Sequence, residues 1–264
     1  MRRCLTLALA FLLAAPVAAQ SPHPLCTGSI ENFDGPTLGP EWILEAGTVY
    51  GTVDRYRTTA TVESTIDLAS SPGRLLMQNS RSGEDKVRLD QRRPLADGEG
   101  YLCEFNISTS GAENAYAVGI SAHAETANPP VSGEWFQVFA DAEYQRHGYR
   151  MLVVVTNRVH LNATSQNDGT YNPSSNLLLW LDRNDAAARA AGVNVGGTGT
   201  VGYHGWYSRD GGRAWSHVGS RRFAEPFDRI GIFNRIGSGA TQSANWYTPI
   251  QTANWCCLTG GAAE

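Results

Sequence analysis

The chain has 264 residues, including 28 glycines and 12 prolines, and a net charge of −4 with only 17% charged residues. That length allows one sizeable core or two small ones, and the absence of a basic stripe argues against a nucleic-acid partner. Long amphipathic helical patterns are nearly absent, while short alternating runs recur between Gly, Asn, Asp and Ser turns, so the predicted class is all-β.

Arg2 and Arg3 precede an apolar run from Leu5 to Ala15, and Val17-Ala18-Ala19 supplies small residues before Gln20. This predicts a signal peptide over 1–19, cleaved after Ala19. The run is too short to anchor the chain, and no second run approaches spanning length, so no membrane insertion is expected. The mature protein is expected to be exported in the bacterial manner, secreted or periplasmic, and loss of Arg2 and Arg3 takes its net charge to −6. Cys4 leaves with the signal and does not follow the apolar run as a lipid-bearing cysteine would. Four cysteines remain, Cys26, Cys103, Cys256 and Cys257. An even count in an exported chain, with no paired C-x-x-C spacing, predicts two disulfides rather than a metal site.

A proline-rich tail, 20–29, leads into a single domain over 30–258, with a short tail over 259–264. Asp34-Gly35-Pro36 makes a turn, and Leu38 and Trp42 are expected in the core. Strands follow near Thr48 to Tyr56, Arg74 to Asn79, Lys86 to Gln91 and Tyr101 to Ser108. In Lys86 to Gln91, Val87, Leu89 and Gln91 oppose Arg88 and Asp90. Ala115 to Glu125 sets Tyr116, Val118, Ile120 and Ala122 against Ser121, His123 and Glu125, a sheet with one dry and one wet face. Glu134 to Tyr144 puts Phe136, Val138, Ala140, Ala142 and Tyr144 on a core face. Its other face carries Trp135, Gln137, Phe139, Asp141 and Glu143, a mixed row that must point together because side chains alternate strictly along a strand. Arg150 to Val155, apolar on both faces, is predicted as a central strand. Thr156 to Asn176 reads as a long polar connection. Leu177 to Asp182 resumes the sheet, and Asp185 to Gly192 reads as a two-turn helix with an Asp N-cap and a Gly stop.

Tyr203 to Gly219, YHGWYSRDGGRAWSHVG, predicts two strands joined by a tight turn, because Asp-Gly-Gly supplies the positive φ that such turns need. Asp210 is expected to bond the turn backbone, with Trp215 folded back over it. The eight residues SRDGGRAW fit the Asp-box pattern S-x-D-x-G-x-x-W, with Ser208, Asp210, Gly212 and Trp215 as its structural residues and Ala214 where threonine is usual. The box occurs once, and a propeller would repeat it in every blade. The segment from Leu177 through this box to Asp228–Asn234, together with the opening Ile30 to Trp42, resembles the concanavalin A-like lectin/glucanase, or laminin-G-like, jelly roll.

The resemblance implies a two-sheet antiparallel β-sandwich and an extracellular polysaccharide or glycoconjugate as partner, bound by a monomer. In that family the segment around Asp34 often helps hold a structural calcium, with an acidic residue from the last strand. SANWYTPIQTANWCC offers no carboxylate, and Asp34 otherwise caps its own turn; no cofactor is required. First and last strands lie side by side in the resembled fold. A bridge between neighbouring Cys256 and Cys257 would be strained, so one of them is expected to pair with Cys26 and the other with Cys103. Each bridge would close a long loop, worth about 3–5 kcal/mol in the chain-entropy model.

Sugar binding needs aromatic faces plus amides, carboxylates or guanidinium groups. Trp135, Gln137, Asp141 and Glu143 supply these on one strand face, with His123 and Arg88 joining from neighbours; an ordinary solvated face with Trp135 tucked under a loop is the plainer alternative. His204 and Trp206 have a weaker claim. If the chain hydrolyses glycans, Asp141 and Glu143 are the candidate carboxyl pair, but the family's E-x-D-x-x-E and Gln-x-His strands are both missing. No G-x-S-x-G or H-E-x-x-H occurs. The expectation is a non-catalytic glycan-binding protein, with a divergent glycoside hydrolase or polysaccharide lyase, or a structural or adhesion module of the cell surface, as alternatives.

Overall fold

A computed structural model describes residues 30–31, 33, 38–44, 48–50, 64–67, 75–79, 86–107, 116–125, 134–142, 149–155, 159–166, 177–236 and 250–259. The strands in chain order are β1 (Ile30–Glu31), β2 (Trp42–Leu44), β3 (Thr48–Tyr50), β4 (Ser64–Asp67), β5 (Leu75–Asn79), β6 (Lys86–Gln91), β7 (Glu99–Ile107) and β8 (Tyr116–His123). They continue with β9 (Trp135–Ala142), β10 (Tyr149–Val155), β11 (Val159–Gln166), β12 (Leu177–Asp182), β13 (Val201–Ser208), β14 (Ser216–Phe223), β15 (Arg229–Ile236) and β16 (Ile250–Thr259), with one helix, α1 (Asp185–Ala190), after β12. They form two sheets. A nine-stranded sheet runs β14-β13-β12-β7-β16-β5-β4-β3 with β1 on β16, and a seven-stranded sheet runs β11-β10-β9-β8-β15-β6-β2. All pairings are antiparallel except β3 with β4. This is a β-sandwich of the jelly-roll kind.

Alternation builds the core between the sheets. Tyr101, Cys103 and Phe105 of β7, Leu177, Leu179 and Leu181 of β12, and Tyr203 of β13 meet Val118, Ile120, Phe136, Val138, Ile230 and Ile232 of the other sheet. Phe136 lies 5.9 Å from Tyr203 and 6.4 Å from Phe223, so aromatic contacts cross the gap. Each such side chain contributes about 1.5–3 kcal/mol by leaving water. Trp42 joins this core, and Leu38 packs against it. Phe227 N–H donates to the buried Tyr203 hydroxyl at 2.8 Å, satisfying the one polar atom that ring carries inward.

Four expectations change. Val159–Gln166, read as part of a polar connection, is the edge strand β11, paired with β10 over its whole length; an edge strand with solvent beside it tolerates polar residues. Arg150 to Val155 is therefore second from the edge rather than central. The helix N-cap is Asn184, whose Oδ1 accepts from Ala187 N–H at 2.9 Å, one residue earlier than the Asp expected. Cys103 is a free, buried thiol rather than half of a disulfide. The β16 ladder sets Ala253 opposite Glu104 and Cys256 opposite Leu102. The place opposite Cys103 thus falls in the irregularity at 254–255, where no cysteine stands. Burial, and then the Glu104 carboxylate, push its thiol pKa well up. Cys26 lies outside the described residues. Strands β1 and β16 do lie side by side, Ile30 opposite Cys256.

Candidate functional site

The outward face of the seven-stranded sheet is organised in ranks that cross β6, β15, β8 and β9. One rank aligns Asp90, Gly231, Ser121 and Gln137; the next aligns Arg229, His123 and Trp135. These are the non-core positions of strands whose alternate residues fill the sandwich. Sequence reading expects this face to be wet, yet Asp90, Ser121, His123, Trp135 and Gln137 are all at most 3% exposed. The sheet here is covered on both sides, and strand alternation alone does not reveal a cover.

Buried polar groups need partners, and these find one another. Gln137 Nε2 donates to Ser121 Oγ at 3.1 Å, and Ser121 Oγ lies 3.3 Å from His123 Nδ1. His123 Nε2 then lies 3.3 Å from Asp90 Oδ2. Asp90 stands two strands away from His123, with β15 between them, and its reach depends on Gly231: a Cβ there would fall on the Asp90 carboxylate and the Leu89 carbonyl. The missing side chain is the channel through which the carboxylate reaches the ring. The Asp90–His123 contact has the spacing of an ion pair but not the direction of a hydrogen bond, since His123 Nε2 finds no hydrogen-bond partner. Trp135 Nε1 likewise has no acceptor.

At the open end of the same ranks, Arg92 and Arg229 both donate to the exposed Glu125 carboxylate, the Arg229 contact at 2.6 Å. The Arg229 hydrogen bond, then the charge of Arg92, lower the Glu125 pKa. Glu134, directly before Trp135, is also exposed. A charged rim therefore adjoins a buried row of indole, imidazole, hydroxyl, amide and carboxylate.

Of the predicted site residues, Trp135, Gln137 and His123 come together here. Arg88 lies on β6 opposite Phe233, and Asp141 on β9 opposite Ala117 and Arg150, both described at the level of the backbone. Glu143 and Asp34 lie outside the described residues. Among the described residues no group of three or more His, Cys, Asp or Glu side chains is disposed to hold a metal ion. Asp90 and Ser121 were the residues missed as site members; their signal was the polar half of two alternating strands.

The outward face of the nine-stranded sheet carries a second polar and aromatic cluster. Trp180 and Trp206 stack at 5.9 Å between centroids, and Trp215 meets Trp180 edge-on at 5.4 Å. The turn before Trp215 is tied by Ser208 Oγ, which accepts from Gly212 N–H at 2.9 Å and donates to Asp210 Oδ1 at 2.8 Å. Asp210 Oδ1 also accepts from Arg213 and Ala214 N–H, each at 3.0 Å. Trp206 Nε1 donates to the buried Asp182 carboxylate at 3.1 Å, and Asn184 N–H donates to its other oxygen at 2.9 Å. Burial nevertheless dominates and pushes the Asp182 pKa up to about 8.

No protein-family model matches the chain, and no curated protein matches it in sequence. Similarity appears at the level of structure. One similar structure comes from work on endo-acting O-glycanases that members of the human gut microbiota express to initiate mucin breakdown; its TM-score is 0.54 at 10% identity, covering 88% of this chain and 99% of that one. A second is a GH43 glycoside hydrolase engineered to display both endo-xylanase and exo-arabinofuranosidase activity, with a TM-score of 0.54 at 13% identity, covering 93% of this chain and 43% of that one. A third is the VIP36 exoplasmic/lumenal domain with Ca2+ and Man3GlcNAc bound, with a TM-score of 0.49 at 9% identity, covering 89% and 92%. At these identities the likeness is one of fold.

Proposed function

We propose that this chain is an exported glycan-binding protein whose site is the Asp90–Ser121–His123–Trp135–Gln137 face of the seven-stranded sheet, entered from the Glu125 and Glu134 rim. One observation carries the reading: the Trp135 indole N–H is fully buried and has no acceptor. An unpaired buried donor costs about 1–3 kcal/mol, and a sugar hydroxyl or ring oxygen offers the acceptor it lacks. The neighbouring amide, imidazole and carboxylate are the groups that orient hydroxyls, and the fold resembles structures from work on O-glycanases and on a GH43 glycoside hydrolase. A second reading, catalysis on the same face, draws on the Asp90–His123 couple, a carboxylate and an imidazole 3.3 Å apart, the residue types that serve as general acid and base.

The test is a glycan-array and polysaccharide pull-down screen on the protein from Gln20 onward, with Gln137→Leu and Trp135→Ala beside it and product analysis of every hit. The expected outcome is binding to an intact polymer, weakened at least tenfold in Gln137→Leu, whose unfolding midpoint shows that the fold survives. Shortened or unsaturated products would transfer the assignment to the catalytic reading. Binding unaffected by both substitutions would overturn the proposed face.

A further inference from the structure

On the opposite side of the sandwich, β13 and β14 bring a serine between two histidines. Residues 217 and 220 are three apart, which on a regular strand places them on opposite faces. The ladder shifts between Gly205 and Trp206, so that Trp206 faces His217 while His204 faces Ser220. That bulge on β14 turns both side chains to the same outward face. Ser220 Oγ lies 2.7 Å from His204 Nδ1 and 2.8 Å from His217 Nε2. His204 Nε2 lies 3.0 Å from Asp185 Oδ1. Asp185 is held in turn by Arg222 at 2.9 Å and by Arg189 of its own helix at 3.7 Å. Gly202 makes this possible, because a Cβ there would fall on Asp185 Oδ1.

Counting hydrogens gives the arrangement chemical meaning. A carboxylate only accepts, so the neutral His204 ring carries its proton on Nε2, and its Nδ1 is the acceptor for the Ser220 hydroxyl. His217 meets the same oxygen from the other side, so one hydroxyl proton stands before two ring nitrogens. His204 is fully buried and Ser220 half-buried, which leaves Oγ as the reacting atom nearest to solvent.

We propose that Asp185, His204 and Ser220 form a nucleophilic relay that cleaves carboxylic esters bearing a small acyl group, of the acetyl class, at a site separate from the glycan face. Ser220 Oγ attacks the ester carbonyl carbon, and its proton passes to His204 Nδ1. The carbon–oxygen bond to the alcohol breaks as that proton moves to the departing oxygen, leaving acyl-Ser220. Water then attacks the acyl carbon and gives its proton to His204. The bond to Oγ breaks, Oγ regains the proton, and the carboxylic acid leaves; the sum is ester plus water to acid plus alcohol. Ser220 and His204 are the catalytic residues, and Asp185 positions the ring. The small acyl class is inferred from the position of Oγ, half-buried between two imidazoles.

The experiment exposes the intact protein to a tagged fluorophosphonate, locates the adduct by peptide mass spectrometry, and follows p-nitrophenyl acetate hydrolysis. Labelling is expected at Ser220, absent in Ser220→Ala, unchanged in Ser216→Ala, and slowed about 10²–10⁴-fold in His204→Asn. Ser220→Ala removes one oxygen and leaves the buried His204 Nδ1 without its partner, so its unfolding midpoint is expected to fall modestly while a cooperative transition shows that the fold survives. The rate is expected to rise with pH and level off below neutrality, because burial lowers the His204 pKa more than Asp185 raises it. The charged and titratable groups around that ring are Asp185 and Arg189 of α1, His217 and Arg222 of β14, and Asp182 opposite it on β12. An unlabelled wild type, an adduct on another residue, or hydrolysis that persists in Ser220→Ala would each overturn the relay, since a purely structural network gives no nucleophile.

Discussion

The two outward faces use one device with different completeness. On the seven-stranded sheet, the Asp90 carboxylate passes over Gly231 to His123. On the nine-stranded sheet, the Asp185 carboxylate occupies the space above Gly202 and meets His204. The second network is closed: both nitrogens of His204 are bonded, and two arginines hold Asp185. The first is open, with His123 Nε2 out of hydrogen-bond alignment and the Trp135 indole N–H without an acceptor. A closed network is rigid and pre-organised, whereas an open one carries a desolvation cost that a ligand is able to offset.

The contrast is sharpest in its dependence on pH. Asp182, beside the closed network, has a folded pKa raised from 3.8 to about 8. The folded state therefore holds a proton that the unfolded state releases near pH 4. Its contribution to stability is fully present below that pH and is lost as pH rises through about 8, on the order of 5 kcal/mol across the window. Urea midpoints from pH 4 to 9 are expected to show this decline in the wild type and to lack it in Asp182→Asn. A flat wild-type profile would place Asp182 in contact with water and weaken the contrast.

Next in size is removal of the carboxylate that spans β15. Asp90→Ala is expected to cost about 1–3 kcal/mol, as removing a buried polar group from its neighbours does. Asp185→Ala, whose carboxylate is partly exposed, is expected to cost less. Equal losses in denaturant melts would show that the two faces do not differ in burial where it matters. The smallest difference separates two indoles. Trp206→Phe removes the donor that Asp182 relies on, while Trp135→Phe removes a donor that has no partner. Trp206→Phe should therefore be the more destabilising by about 1–3 kcal/mol, read as a difference of unfolding free energies, with a reversal meaning that Trp135 is bonded in solution.

What the sequence makes legible is local. The Tyr203 to Gly219 hairpin, the Phe136–Val138–Ala140 core face and the Leu177 to Asp182 strand follow from period-two patterning and turn residues, and all recur in the fold. Strand β11 was missed because the edge of a sheet needs no apolar signal. The Asp90–His123 contact was missed because it skips a strand, and only Gly231, an unremarkable residue in sequence, permits it. Ser220 and His217 were missed for a related reason: period-two reading assigns them to opposite faces, and a bulge undoes that assignment. The grouping of Trp135, Gln137 and His123 on one face was readable, and a covered Trp135 was the plainer alternative, but the burial of Gln137 and His123 was not readable, since no pattern within a strand reports what lies above it.

Strand β16 has a consequence for how the molecule assembles. Among the described residues it is the last strand in chain order, yet it sits inside the nine-stranded sheet between β7 and β5 and also carries β1. During synthesis β5 and β7 emerge long before the strand that joins them. Until then each presents an unpaired edge and the sheet exists as two halves, the situation in which long-range pairing makes folding slow and exposes chains to aggregation. The nine-stranded sheet therefore stays open until β16 has been made and takes its place between β7 and β5.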